Sequence, residues 1–596
     1  MCVLGRVLCV SVVAILVPGM AYAQASIAGV VRDSSGAVLP GVTVEAASPA
    51  LIEKVRTVVS DGAGQYRVID LRPGTYTVTF MLPGFNTVKR EGIELSGTFV
   101  ATVNAELRVG ALEETITVTG AAPVVDTQSA RQQQVLDRDL VRDIPTSRNY
   151  FALAVLVPGM TTSQRDVGGT NLNQAGNYVI HGGRNEDGRV SIDGVTVGQR
   201  GPGVNMTMYS MNAGLMQETV ITTSGGLAES ELGGVVINMI PREGGNTMRG
   251  SFFGTWGNNA LQATNHDDRL RNLGLPSADE IKDVWELTGQ VGGPVVRDRL
   301  WYLLSAKHTG TRNYVAGMYY NKNAGDITKW SYEPDFSRRA FRDDTIKSLA
   351  LRLTTQLTPR NKLNIFWDEQ WRGTNVLGGG TATSAPESSN LTLSWPSRAF
   401  NATYSSPVTN RVLLEAGYGG TFLQWGGDEK PGYDRRMIRV TEQAGAIPGL
   451  TYRGMTWNSN FLFPTQARAS VSYVTGSHSA KVGFTRMWNN FDDRDMNPNP
   501  ISYRFNNGVP NQLTLFDALR RRLAKVYTGG LYAQDSWVLG RLTLQGGVRY
   551  DTVHTFFPEQ VSGFTRYVPN GFSIPYTEGA SLQDITPRMA VSYDDQ

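Results

Sequence analysis

Arg541-Leu542-Thr543-Leu544-Gln545-Gly546-Gly547-Val548-Arg549-Tyr550-Asp551 is the stretch whose reading decides the fold. Leu542, Leu544, Gly546, Val548 and Tyr550 share one face of an extended chain, whereas Arg541, Thr543, Gln545, Arg549 and Asp551 share the other. Side chains along a strand alternate between faces, so this segment builds a wall with one greasy and one wet side. Thr247–Trp256 repeats the pattern: Met248, Gly250, Phe252, Gly254 and Trp256 oppose Thr247, Arg249, Ser251, Phe253 and Thr255. A soluble sandwich alternates in the same way. In a membrane barrel the greasy side meets lipid, and a charge there costs roughly 2–4 kcal/mol at mid-bilayer.

The spacing of such segments separates the two readings. Beyond residue 246, short links at 293–299, 358–362, 406–410, 475–478 and 538–541 alternate with long ones at 258–283, 314–345, 374–390, 426–463, 491–523 and 556–582. Tight turns at one end and long loops at the other are the signature of a transmembrane barrel, and a sandwich has no reason to sort its loops. All eleven tryptophans lie in this region, nine of them in segments read as strands: Trp256, Trp285, Trp301, Trp367, Trp371, Trp395, Trp425, Trp488 and Trp537. Indole rings suit the lipid–water boundary, where one end is dry and the other wet.

The rest of the chain agrees. Its 56 basic and 53 acidic residues nearly cancel, which argues against a nucleic-acid binder. Residues 1–23 read as a secretory signal, with Arg6, the apolar run Val7–Val17 and Ala21-Tyr22-Ala23, which places cleavage between Ala23 and Gln24. Cys2 and Cys9 both fall within it, so neither a disulfide framework nor a thiol site is expected in the mature chain. No later apolar run is long enough for a spanning helix, so membrane entry requires a closed barrel.

Residues 24–109 show short strands at Ser26–Arg32, Gly41–Ala47, Val55–Ser60, Gly64–Val68, Gly74–Met81 and Phe99–Leu107, separated by turn signals such as Asp61-Gly62 and Arg72-Pro73-Gly74. This spacing predicts a small β-sandwich. Residues 110–127 form a linker in which Glu114-Thr115-Ile116-Thr117-Val118 alternates polar and β-branched side chains, as a strand suited to adding itself to a partner's sheet edge. Residues 128–245 are glycine-rich, with a short helix expected at Arg148–Val157 and strands at Tyr178–His181, Val190–Ile192, Glu218–Thr222 and Gly234–Ile240.

Three resemblances attach to these segments. Gly29-x-Val31-x-Asp33, Leu39-Pro40-Gly41-Val42-x-Val44 and Leu71-x-Pro73-Gly74-x-Tyr76-x-Val78 resemble the carboxypeptidase regulatory-like domain, which has a carbohydrate-binding-like fold and implies no peptidase. Ile180-His181-Gly182-Gly183-Arg184, Ser191-Ile192-Asp193-Gly194-Val195 and Glu229-Ser230-Glu231-Leu232-Gly233-Gly234-Val235-Val236-Ile237-Asn238 resemble the plug domain of TonB-dependent receptors, more narrowly the Oar-like group. Leu531–Trp537 followed by Leu542–Asp551 resembles a barrel hairpin of the same receptors.

These resemblances imply a mainly β protein: sandwich, α/β plug over 128–245, and an antiparallel transmembrane β-barrel over 246–596. About twelve strands are present, whereas plugged transporters have about 22, so the barrel is expected to be truncated at the C-terminus. The implied role is uptake of a ligand across the outer membrane of a Gram-negative-type bacterium. Energy comes from the inner-membrane proton gradient, through TonB and its energising complex gripping Glu114, Thr115, Ile116, Thr117 and Val118. The cargo stays open among an iron chelate, a glycan, a peptide and a protein. The alternative is a surface binding or adhesion protein, including glycan contact, without transport. No enzyme, cofactor or metal site is expected. None of the five histidines begins H-x-x-E, and Asp493-x-Asp495-x-Asn497 lacks the glycine and closing glutamate of a calcium loop, with Pro498 and Arg504 in their places.

Overall fold

The computed structural model describes residues 25–593 except 52–53, 96–99, 111–114, 120–130, 145–147, 163–177, 185–186, 199–206, 208, 211, 276, 374–380, 410 and 517–518. The cleavage pair Ala23 and Gln24, and Glu114 of the linker, lie outside the described residues.

The barrel wall is one antiparallel sheet running in chain order from Arg249–Asn258 to Thr577–Tyr593. Twelve strands cross it, because Trp457–Leu462 and Thr465–Val474 lie end to end between the same two neighbours, Val412–Asp428 and His478–Met496. The break falls at Phe463-Pro464, where proline has no N–H to give the ladder. Among the described residues the first and last strands do not pair with each other. No helix among them is long and apolar enough to cross a membrane.

The alternation read from residues 541–551 is observed. Thr543, Gln545 and Arg549 are buried toward the lumen, while Val548 is 46% exposed on the outer face. Leu304, Leu349, Leu351, Ile365, Trp367, Leu531 and Val591 are exposed outward in other strands. Trp301 departs from the expected aromatic belt: it is buried, and its Nε1 donates to Asn246 Oδ1 at 2.8 Å.

The turns are as short as expected, at 297–299, 359–360, 408–411, 475–477 and 540–541. The long loops are shorter than their sequence limits, because several strands run on past the alternating segment. Leu300–Asn321 and Pro334–Thr358 leave only 322–333 between them. Asp493 and Asp495 accordingly sit in strand His478–Met496 rather than in a solvated loop, and Asp493 pairs with Arg522 at 2.9 Å. The loops carry structure of their own: a four-stranded sheet of 451–452, 439–442, 501–506 and 509–515 packs with Met318, Ala340 and Ala385. There the Arg453 guanidinium lies 3.8 Å over the ring of Trp330.

Inside the wall sits a five-stranded sheet in the order Gln132–Asp137, Met216–Ser224, Val236–Pro241, Arg189–Ile192, Val195–Thr196. Its apolar core includes Leu136, Ile192, Leu215, Ile221 and Ile237, and Leu303, Ala350, Phe366 and Ala399 of the wall join it. The predicted helix is shorter, Tyr150–Ala154, and starts where Asn149 Oδ1 accepts from Ala152 N at 2.7 Å. The wall flanks this sheet from end to end: Arg148 lies 3.8 Å over Phe253 of the first strand, and Arg588 of the last donates to Leu227 O at 3.1 Å.

The N-terminal sandwich has two sheets. One holds Gln65–Leu71, Ala25–Asp33, Val100–Thr102 and Ala105–Leu107. The other runs Val55–Val59, Thr43–Ala47, Gly74–Met81, Thr87–Leu95, Thr115–Thr119. Ile27, Val44, Tyr66, Val78 and Phe80 fill the space between them.

Candidate functional site

The site is the seam between the inner sheet and the wall, together with the linker strand. It is built from turns on one side and lumen-facing strand positions on the other. Asp193 and Gly194, both in the left-handed region at φ 46° and 61°, close the hairpin between Arg189–Ile192 and Val195–Thr196. A two-residue turn with both residues left-handed matches the twist of the strands it joins, and Asp-Gly is among its favoured pairs. The turn aims Asp193 at the wall: its carboxylate pairs with buried Arg352, and its carbonyl accepts from Arg468 at 2.9 Å.

The loop after strand Met216–Ser224 makes a second contact. Glu229 pairs with both Arg131 and Lys481 of the wall. Burial alone would push its carboxyl up, but Lys481 and Arg131 outweigh that and bring it down to about 2. Its backbone N–H donates to Gln534 Oε1 at 2.9 Å. Glu231 pairs with Arg189 and lies 3.7 Å from the fully buried Arg549, which also bonds Asp551 at 2.8 Å and donates to Ala228 O at 3.2 Å. A Cβ on Gly547 would stand 2.8 Å from Ala228 Cβ, so glycine is what admits this loop to the wall.

A third cluster marks the exit from the inner sheet. Glu243 forms an ion pair with Arg72 of the sandwich at 2.5 Å and accepts a hydrogen bond from Lys362 of the wall at 2.6 Å, with Arg352 at 3.6 Å. Burial opposes its ionisation, but these three cations hold the carboxyl well below the usual range. Further hydrogen bonds complete the seam: Tyr209 Oη donates to Asp368 at 2.7 Å, Asn212 Nδ2 to Ser305 Oγ at 2.9 Å, and Thr196 N to Gln466 Oε1 at 3.0 Å. The seam therefore joins largely through polar groups that water can replace one by one. Each such bond contributes about 0.5–1.5 kcal/mol net.

Of the linker residues singled out from sequence, Thr115, Ile116, Thr117 and Val118 lie in strand Thr115–Thr119. This strand pairs in parallel with Thr87–Leu95, from Thr87↔Thr115 to Glu91↔Thr119. It is the edge of its sheet, and its second edge is unpaired among the described residues. Sequence reasoning did not assign Arg352, Asp368, Lys481 or Arg468 to the seam. The available signal was their place on the lumen face of alternating strands, a face that also carries Arg549 and Asp551. Among the described residues no group of three His, Cys, Asp or Glu side chains is placed to hold a metal.

Residues 301–596 match the family model "TonB dependent receptor-like, beta-barrel", and residues 26–108 match the carboxypeptidase regulatory-like domain. The chain is 26% identical over 451 residues to the TonB-dependent transporter Oar of Myxococcus xanthus, covering 72% of this chain and 41% of Oar. Its fold is similar to that of the outer membrane transporter YddB from Escherichia coli, with TM-score 0.52, 15% identity, and 78% of this chain and 59% of that one covered. It is also similar to the ferric citrate transporter FecA in the unliganded form, with TM-score 0.50, 14% identity, and 79% and 61% covered. The chain thus spans less than two thirds of the length of these relatives. The chain therefore carries a TonB-dependent receptor-like β-barrel over residues 301–596 and an N-terminal carboxypeptidase regulatory-like domain over residues 26–108, and it is related to the TonB-dependent transporter Oar.

Proposed function

We propose that the protein is an outer-membrane receptor that takes up a ligand with energy from the inner-membrane proton gradient, and that it is not an enzyme. The observation that carries this is the seam. A sheet that fills a lumen blocks passive flow, and the ion pairs and hydrogen bonds that fix it to the wall are contacts that water can replace as it is drawn out. In this reading residues 1–23 are the export signal, cut between Ala23 and Gln24. The units are the sandwich over 24–109, linker 110–127, plug 128–245 and barrel from 246. The short turns face the periplasm and the long loops face the outside, where a ligand lands.

TonB contacts the stretch Glu114–Val118. Support comes from strand Thr115–Thr119 lying at a sheet edge, the position from which strand addition to a partner proceeds. The test is capture of the organism's TonB periplasmic domain by the full-length protein in energised cells, through a thiol crosslink from Thr117→Cys. Crosslinking that disappears when Glu114, Thr115, Ile116 and Val118 are replaced by Gly or Ser, with the thiol at position 117 kept, supports the reading. A surface-exposed barrel that captures no TonB in either form supports an adhesion or binding protein instead.

A further inference from the structure

The sandwich does not hang free of the barrel. Ile69, at the end of one of its strands, forms a buried apolar cluster with Leu413 and Val474, which flank the turns 408–411 and 475–477. Gly476 of the second turn approaches so closely that an added Cβ would stand 2.3 Å from Gln65 Cβ and 2.7 Å from Asp61 Oδ2. Arg72 reaches further in, to Glu243, which is itself bonded to Lys362 on the inner wall. The sandwich therefore sits over the lumen mouth rather than beside it. Behind it lies a charged cavity of about 320 Å³, bounded by Arg72 and Pro73 of the sandwich, Asn238 and Glu243 of the plug side, and Lys362 and Thr403 of the wall.

Arg72 is fixed for this contact. Tyr76 Oη donates to Arg72 O at 2.8 Å and accepts from Arg72 N at 3.0 Å, so the turn that carries the arginine is tied to the sandwich core. The linker strand Thr115–Thr119 is bonded to the same body through five successive residue pairs with Thr87–Glu91. Traction on that strand passes into the sandwich before it reaches the plug.

We infer that the sandwich is a lid on the periplasmic mouth of the lumen, closing the cavity between plug and wall, and that the linker strand is the handle by which it is drawn off. This rests on the receptor reading above. A spacer or glycan-binding role does not call for a buried apolar contact with two neighbouring turns and an ion pair to the plug exit.

The test uses the complete natural chain in its native outer membrane. Thr403→Cys is placed in the cavity, and its labelling by biotin maleimide is read at that position by peptide mass. Ile69→Cys/Val474→Cys staples the lid to the barrel, and Val88→Cys/Ile116→Cys staples the handle to the lid. A closed lid is open only in a minor population, so collapse of the proton gradient should slow labelling about tenfold or more. The lid staple should hold energised cells at that slow rate until it is reduced, while the handle staple should leave the energised rate unchanged. Energised labelling that persists with a fully formed lid staple overturns the lid, as does labelling indifferent to the gradient. TonB capture through Thr117→Cys separates the two readings: if it persists the receptor stands without a lid, and if it also fails the receptor reading falls.

Discussion

Replacing Glu229 by alanine tests whether ion pairs hold the plug. The carboxylate lies between Arg131 and Lys481, and the Lys481 side chain is only 8% exposed. Its loss leaves two cations facing each other with little water to screen them. Glu415, whose charge also acts on Lys481, compensates in part. Removing one partner from a buried pair costs about 3–5 kcal/mol, and at about 1.4 kcal/mol per factor of ten this shifts the opening of the loop by roughly a hundredfold to a few thousandfold. The lower end applies here, because the loop keeps the Gln534 bond to Glu229 N and the Arg549 bond to Ala228 O. The assay is hydrogen exchange on the detergent-solubilised receptor. Amides of the Glu229 loop and of Met216–Ser224 should lose about 10²-fold protection, while those of wall strand Leu300–Asn321 should not change. Adding Lys481→Met should restore most of it, since the stranded charge is then gone. Plug amides in Glu229→Ala that exchange within about threefold of the parent would refute the reasoning.

Val548→Arg places a charge on the lipid face and should lower stability of refolding into lipid vesicles by about 2–4 kcal/mol, whereas Val548→Met should be near neutral, as read by urea titration. Tyr76→Phe removes both bonds to Arg72 and should cost the sandwich about 1–2 kcal/mol, measured by denaturant unfolding, and should also loosen Arg72 from Glu243. Glu229 and Glu243 have folded pKa values below their ordinary 4.5, so their contribution is complete above that pH and is lost as pH falls through the folded values. Plug protection should therefore be flat from pH 7 to about 4.5 and fall toward about 2, as followed by plug-specific exchange or fluorescence.

The wall was legible because lipid on one side and a polar lumen on the other impose a period of two that no local propensity blurs. Leu542–Tyr550 carries its orientation in its own letters, and the turns sort themselves by length. Where that constraint ends, legibility ends too. Strands such as His478–Met496 continue into solvent, where Asp493 and Asp495 look like loop residues although they are paired to a neighbouring strand. Trp301 belongs to the wall but faces inward, because Asn246 offers its indole N–H a partner there.

In the sandwich, Thr87–Leu95 escaped detection because Lys89-Arg90-Glu91 interrupts its apolar residues, although Val88, Ile93 and Leu95 are buried. Phe99–Leu107, read as one strand, is two, Val100–Thr102 and Ala105–Leu107, which pair successively along Ala25–Asp33. The seam was least accessible. Asp193 meets Arg352, and Glu229 meets Lys481, across more than a hundred residues of chain, and no local pattern specifies such partners. The sequence did mark both ends, in the Asp193-Gly194 turn and the charges of the lumen face.

The central claim is that the strands beyond residue 246 show lipid one face and a polar lumen the other. Spin labels placed singly from Thr543 to Arg549 in vesicle-reconstituted receptor, read for collision with oxygen against a water-soluble nickel chelate, test it most directly. Positions 544, 546 and 548 should favour oxygen, and 543, 545 and 549 should not, with strict alternation between them. Uniform access of the chelate to all seven positions would mean that this segment never meets a bilayer.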